Sequence, residues 1–122
     1  MKVLYLGTDP KHFKTQAEVI HYPVISIQPR PFASVQDYFI RLPSYTHLLF
    51  TSKNSVKVFC DYLVFLPASL DNKIILAIGT TTAHALRLQG IHVNHLAKNA
   101  TQEGMVQTLQ QLALHNSYIF YP

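Results

Sequence analysis

Two short segments of the sequence combine small, hydroxyl-bearing and amide residues directly after an apolar run. Thr51, Ser52 and Asn54 follow the first run, and Thr81 and Thr82 follow the second. If each run is a strand and each segment begins a helix, free backbone N–H groups and the positive end of a helix dipole face the same edge. Such groups suit carboxylates of a ligand. The simpler interpretation is that the hydroxyls only cap their helices.

Other familiar chemistries lack the residues that they need. Gly79 stands alone where a dinucleotide-binding loop needs three glycines, and no Gly-Lys-Ser/Thr motif is present for a phosphate loop. Seven histidines invite a metal site, but His92 and His95 are three apart in a predicted strand and so point to opposite faces. Cys60 lies on an apolar helix stripe, as a core residue would. We therefore expect neither a metal nor an organic cofactor.

Charge and composition restrict the partners and the compartment. The net charge of +4 favours an anionic partner, but the basic residues are scattered without a run, so we expect no nucleic acid. No apolar run approaches the ~18 residues of a membrane-spanning helix. A single cysteine in 122 residues agrees with a reducing compartment. The sequence predicts a soluble cytoplasmic protein that binds an anion.

The first part of the chain contains short apolar runs separated by turns and prolines. Residues 3–6 and 24–27 are predicted strands, and the first of them ends in a turn at residues 7–10. Prolines flank the second strand, so residues 28–33 are predicted to be an extended linker. Ser34 is then predicted to cap a short amphipathic helix.

From residue 46 onward apolar runs alternate with helical patterns. Continuous apolar strands that are each followed by a helix indicate a parallel sheet covered on both faces, and therefore an α/β fold of the Rossmann or flavodoxin-like kind. Gly90 is predicted to end a helix in a left-handed conformation. The predicted strands are residues 47–50, 74–78, 91–96 and 118–121, and the predicted helices are residues 54–65, 81–89 and 102–114.

Four motifs in order resemble the uroporphyrinogen-III synthase family. Residues 22–29 are similar to a proline-bracketed strand between lobes, and residues 48–56 contain a pattern similar to FTSxNxV. Residues 77–90 resemble the glycine and threonine-alanine element that follows, and residues 100–104 resemble a later helix start. Each motif is short, but the four in order span most of the chain.

The resemblance implies an enzyme without cofactor that closes the linear tetrapyrrole hydroxymethylbilane with inversion of its ring D, giving uroporphyrinogen III. It implies that hydroxyl, amide and helix N-terminal groups hold the eight carboxylates of the substrate. A non-catalytic flavodoxin-like module, of the receiver or ligand-sensing type, is the alternative. The residues that the resemblance assigns to substrate binding are Thr51, Ser52, Asn54, Thr81 and Thr82.

The resemblance also implies two lobes, of which this chain contains parts. Residues 1–30 are predicted to supply N-terminal strands of the first lobe, and residues 31–122 a second α/β lobe that is truncated at its end. The full-length protein is expected to be a monomer. The 122 residues alone are expected to fold, to close the bilane slowly or without isomer control, and to self-associate through exposed strands.

Overall fold

The computed structural model describes residues 1–122, except for the side chain of His12. The chain forms two parallel sheets, one of two strands and one of four. The four strands of the larger sheet lie in the order β5-β4-β3-β6. The elements are β1 Lys2–Tyr5, β2 Glu18–His21, α1 Phe32–Ile40, β3 His47–Phe50, α2 Lys53–Leu63, β4 Ile74–Ile78, α3 Thr80–Leu88, β5 His95–Ala97, α4 Gln102–Gln110 and β6 Ile119–Phe120.

The two-stranded sheet pairs β1 with β2 in parallel, from Lys2 opposite Glu18 to Tyr5 opposite His21. The second strand therefore lies earlier in the chain than residues 24–27, where the sequence pattern predicted it, and that prediction is wrong. Tyr22 and Val24 donate their N–H groups to the carbonyls of Tyr5 and Leu6, so hydrogen bonding to the first strand continues past β2, but residues 24–27 are not part of a strand. Residues 24–27 are exposed.

The four-stranded sheet confirms the predicted α/β class. Its two central strands, β3 and β4, have the bounds that their apolar runs predicted, and all pairings are parallel. Helices α1, α2 and α3 pack on one face around Phe50 and Phe59, and α4 covers the other face around Leu49 and Leu76. Both faces are thus buried, as is usual for a parallel sheet whose strands are joined by crossover helices.

Several helix and strand ends differ from the sequence prediction. The first helix begins at Phe32, and Ser34 does not cap it: its hydroxyl donates to the carbonyl of Pro31 at 2.7 Å. A proline before the helix already supplies the extended backbone that a cap needs. Strand β5 spans His95–Ala97 instead of residues 91–96, β6 is shorter than residues 118–121, and α2 and α4 end before residues 65 and 114. Gly90 has the predicted positive φ, of 74°.

Candidate functional site

Both segments singled out in the sequence lie at the carboxyl edge of the four-stranded sheet. Strands β3 and β4 are adjacent and parallel, with Phe50 opposite Ala77. Thr51 therefore leaves the sheet on the same edge as Gly79 and the threonines after it. Ligands of open parallel sheets bind at this edge.

The turn from β3 into α2 is held by a side-chain cap. Ser52 has extended backbone angles, and its Oγ accepts the N–H of Ser55 at 3.0 Å, which satisfies one free donor of the first helical turn. The capping interpretation is therefore correct for Ser52, although its hydroxyl proton is free to donate elsewhere. Thr51 Oγ1 lies 3.3 Å from the hydroxyl of Tyr121, and Asn54 is half-buried.

The turn from β4 into α3 is made by glycine. Gly79 has φ 84°, which disfavours any residue with a Cβ, and its N–H donates to the carbonyl of Ala97 at 2.7 Å. The helix then begins at Thr80. Thr80 and Thr81 are exposed, so their hydroxyls and the first-turn N–H groups are accessible.

Thr82, one of the residues expected to bind substrate, is buried. Its side chain is only 3% exposed, because the third residue of α3 turns toward the sheet beside Ala83. The exposed hydroxyl that the sequence indicated at this junction is better supplied by Thr80, which the sequence analysis did not include among the binding residues.

A groove of about 520 Å³ lies between the first turns of α2 and the segments next to the two-stranded sheet. Asn54 lines it, together with Lys53 and Lys57 from the same helix. The opposite side is formed by Thr8 and Asp9 after β1, and by residues 23 and 25–27. The sequence analysis missed the two lysines and Thr8, because only the fold brings residues so far apart in the chain to one groove.

The N-terminal side of the groove is fixed by hydrogen bonds to backbone groups. His21 Nε2 lies 2.8 Å from the carbonyl oxygen of Gly7, and Asp9 Oδ1 accepts the N–H of Lys11 at 2.9 Å. The N–H of Val24 binds the carbonyl of Leu6 at 3.2 Å. These contacts hold the turn after β1 against the segment that follows β2.

The electrostatics of this edge favour an anion. Neither α2 nor α3 has an acidic residue in its first turn, although Asp and Glu are favourable there. Asp9 is the one carboxylate that lines the groove, against the two ammonium groups of Lys53 and Lys57. The groove can therefore hold an anionic molecule by charge and by short hydrogen bonds from Asn54.

A second groove, of about 740 Å³, is mainly aromatic. Phe39, Phe59 and Phe120 line it, together with Arg30. It runs beside β6, whose outer edge is unpaired within the described sheet. The hydroxyl of Tyr121 lies between this groove and Thr51.

The groups whose pKa values are shifted lie away from both strand-to-helix junctions. Burial, assisted by the nearby His95, lowers the pKa of His47 at the start of β3. Burial lowers the pKa of Lys73, whose ammonium donates to the carbonyl of Tyr45 at 2.7 Å. Burial and then the charge of Asp61 raise the pKa of the Cys60 thiol, so the thiolate is disfavoured. None of these groups is placed for acid or base chemistry in the 520 Å³ groove.

Metal clusters and membrane-spanning helices are both missing from the described residues. Among the described side chains, which leave out that of His12, no three His, Cys, Asp or Glu residues are grouped as metal ligands. Within that part of the chain, no helix has the length and apolar character needed to cross a bilayer.

Comparison with solved structures supports the fold. A mutant uroporphyrinogen III synthase from the extremely thermophilic bacterium Thermus thermophilus superimposes with a TM-score of 0.65 at 20% identity, over 87% of this chain and 46% of the other. A second structure, of Thermus thermophilus uroporphyrinogen III synthase, gives 0.52 at 19% identity, over 88% and 47%. The chain thus spans about half the length of these proteins.

The comparison with protein families gives a match over nearly the whole chain. No match was found among curated protein sequences. The family model of uroporphyrinogen-III synthase HemD matches residues 11–122, a stretch that includes both strand-to-helix junctions and the lysines of the groove. The chain therefore belongs to the uroporphyrinogen-III synthase (HemD) family.

Proposed function

We propose that the chain acts in uroporphyrinogen-III synthesis, closing hydroxymethylbilane with inversion of ring D. The observation that carries the proposal is the groove between the turn after β1 and the start of α2, in a chain that belongs to this family. The groove has cationic and amide side chains on one wall and a fixed backbone turn on the other.

The substrate's own electrons can perform the reaction. Loss of water from the hydroxymethyl group gives an azafulvene, whose carbon is attacked by the substituted position of ring D, and the spiro intermediate then reopens and recloses with that ring inverted. Spontaneous closure gives the uninverted isomer. The protein therefore has to hold the chain of four rings in one geometry, an orientation effect that can contribute several kcal/mol.

Neutral hydrogen-bond donors suit this task. Thr51 and Asn54 after β3, and Thr81 after β4, present side chains at one edge of the sheet. First-turn N–H groups of α2 and α3 add short-range donors for carboxylates. Ser52 contributes mainly through the cap that holds this turn, and Thr82 through packing below it.

Two lobes are proposed to form the cleft. Residues 1–30 would belong to the first lobe and residues 31–122 to the second, which agrees with the separate two- and four-stranded sheets. We propose that the reaction uses no metal or organic cofactor and takes place in the cytoplasm, without nucleic acid or membrane. The scattered basic residues and the absence of acidic clusters in the sequence support this assignment.

The test is the isomer ratio of the product. The chain is mixed with freshly made hydroxymethylbilane at equal concentration, and the inverted and uninverted uroporphyrinogens are separated after oxidation. Of the two outcomes expected for the 122 residues alone, we propose slow closure with isomer control, so an excess of the inverted isomer over a buffer control is expected, at a rate below that of the Thermus thermophilus enzyme, of which this chain spans 46%. An isomer mixture identical to that in buffer would contradict the proposed catalysis.

A matched pair of variants then separates a role of Asn54 in binding from a general loss of stability. Asn54→Leu removes the half-buried amide in the groove, and Ser44→Ala removes a hydroxyl that donates to the carbonyl of Arg41 on the opposite side of the sheet. Asn54→Leu should lower the excess of inverted isomer, whereas Ser44→Ala should leave it unchanged. Equal effects of the two variants would indicate a general loss of stability instead.

A further inference from the structure

One wall of the 520 Å³ groove carries two lysines at helical spacing. Lys53 is the first residue of α2 and Lys57 follows four positions later, so both side chains leave the same face of the helix. Both line the groove. A cationic wall of this kind has room for an anion between it and the turn after β1.

The two ammonium groups differ in their partners. Lys57 Nζ lies 2.7 Å from Asp61 Oδ2 in an exposed pair, which stabilises the fold little and can exchange for another carboxylate. Within the described part of the chain, Lys53 has no ion pair, although it is half-buried. Asp9, across the groove, already accepts the N–H of Lys11.

The position of Lys53 is unfavourable unless an anion lies near it. A cation in the first turn of a helix is repelled by the positive end of the helix dipole, and α2 has no acidic residue there to offset this. Local rules of this kind are typically broken where function requires it. The groove beside Lys53 is the place where a bound carboxylate would remove the conflict.

We infer that Lys53 and Lys57 bind carboxylates of the substrate and make the groove selective for tetrapyrroles that carry many carboxylates. The inference rests on the proposed function and assigns to these two residues a role in specificity, distinct from the orienting role of Asn54 and the threonines. A lysine ammonium is a compact charge on a flexible stem, so it can follow flexible acetate or propionate groups without fixing one geometry.

Two porphyrins of the same ring system test the inference by fluorescence titration. Uroporphyrin I carries eight carboxylates and coproporphyrin I carries four. The wild-type chain should bind uroporphyrin I more tightly, with an affinity that falls as salt rises. The double variant Lys53→Gln and Lys57→Gln should weaken uroporphyrin I binding about ten-fold and coproporphyrin I binding about two-fold, with a shallower salt dependence.

Two further variants control for net charge and for folding. Arg41→Gln with Arg87→Gln removes the same charge from exposed residues at the ends of α1 and α3, and should change both affinities less than two-fold. Lys53→Arg with Lys57→Arg keeps the charge and should retain the preference for uroporphyrin I. Urea unfolding checks that all variants remain folded.

The outcomes distinguish the role of the two lysines from the proposed function. If uroporphyrin I binds and the glutamine variant binds it as tightly as the wild type, the role of the lysines is wrong and the proposed function stands. Equal losses of affinity when the two lysines or the two arginines are replaced by glutamine would also overturn the inference, because net charge alone would explain them. If neither porphyrin binds, the inference and the proposed function both fail.

Discussion

The two sheets of this chain are both parallel but differ in how they are covered. In the four-stranded sheet, every residue of His47–Phe50 is buried and helices cover both faces. In the two-stranded sheet, Leu4 is 60% exposed and its partner Ile20 is 44% exposed, and Tyr22, directly after β2, is 67% exposed. Parallel strands normally have both faces buried. The smaller sheet therefore has apolar residues of the kind found in a core, but they are left exposed.

Only one face of the small sheet is packed. The ring of Tyr5 lies 5.3 Å from that of Phe13 and 5.8 Å from that of His21 on this face. On the other face, Lys2 and Glu18 form an exposed ion pair at 3.4 Å beside Leu4 and Ile20. The comparison shows that backbone pairing and one small aromatic cluster hold β1 to β2, whereas packing holds the larger sheet.

The largest expected difference between the two regions is in stability. Phe59 is 1% exposed and its ring lies 5.1 Å from that of Phe50 and 5.5 Å from that of Phe39. Phe59→Ala should lower the free energy of unfolding by about 3–5 kcal/mol, because it leaves a cavity among these rings. Tyr22→Ala, at an exposed aromatic directly after β2, should cost about 0.5 kcal/mol or less.

Urea unfolding followed by circular dichroism measures both losses. Similar losses in the two variants would mean that the small sheet is packed as tightly as the large one in solution, and the comparison would be wrong.

A smaller effect is expected on self-association, which the exposed apolar face of the small sheet should drive. Replacing Leu4 and Ile20 together with lysine places charge on that face and should raise the dissociation constant of any oligomer at least ten-fold, which is about 1.4 kcal/mol. Sedimentation over a range of concentrations measures it. The matched control is Val64→Lys with Leu88→Lys, at exposed apolar residues near the ends of α2 and α3. An equal effect of the control pair would show that association is not specific to the small sheet.

The same contrast in coverage explains which elements could be read from the sequence. His47–Phe50 and Ile74–Ile78 are continuous apolar runs because both faces are buried, so their bounds were predicted correctly. Apolar content does not decide which of two segments pairs with β1: residues 18–21 contain two apolar residues and residues 24–27 contain three, yet the first segment pairs. Pattern alone does not contain that decision.

The candidate site shows a similar division. The junctions after β3 and β4 could be predicted, since parallel neighbours end at one edge. Whether a threonine on the first turn faces the sheet or solvent depends on where the helix begins, and a start at Thr80 instead of Thr81 moves Thr82 inward. Lys53, Lys57 and Thr8 line the same groove only because residues far apart in the chain pack together. The local spacing of residues in the sequence does not indicate such long-range packing.

The smallest expected effect is a pH dependence that belongs to the large sheet. His47 is a buried member of β3, and its Nδ1 lies 2.7 Å from Thr46 Oγ1, the hydroxyl that also accepts the N–H of Tyr118 and so joins β3 to β6. Burial and His95 lower the pKa of His47 below its ordinary value of 6.5, so the folded chain favours the neutral ring. The unfolded chain binds a proton at higher pH than the folded one.

The sign of the pH effect follows from that difference in proton binding. Stability from neutral His47 is fully present above pH 6.5 and is lost as the pH falls from there toward the lower pKa of the folded state, where the loss levels off. Urea midpoints measured between neutral and mildly acidic pH should therefore decrease with acidification. His47→Gln should reduce that slope, because glutamine does not titrate and still offers a polar group to Thr46. If the wild type and His47→Gln lost stability equally over this range, the acid sensitivity would have to come from another part of the chain, and burial of His47 in the large sheet would not be its cause.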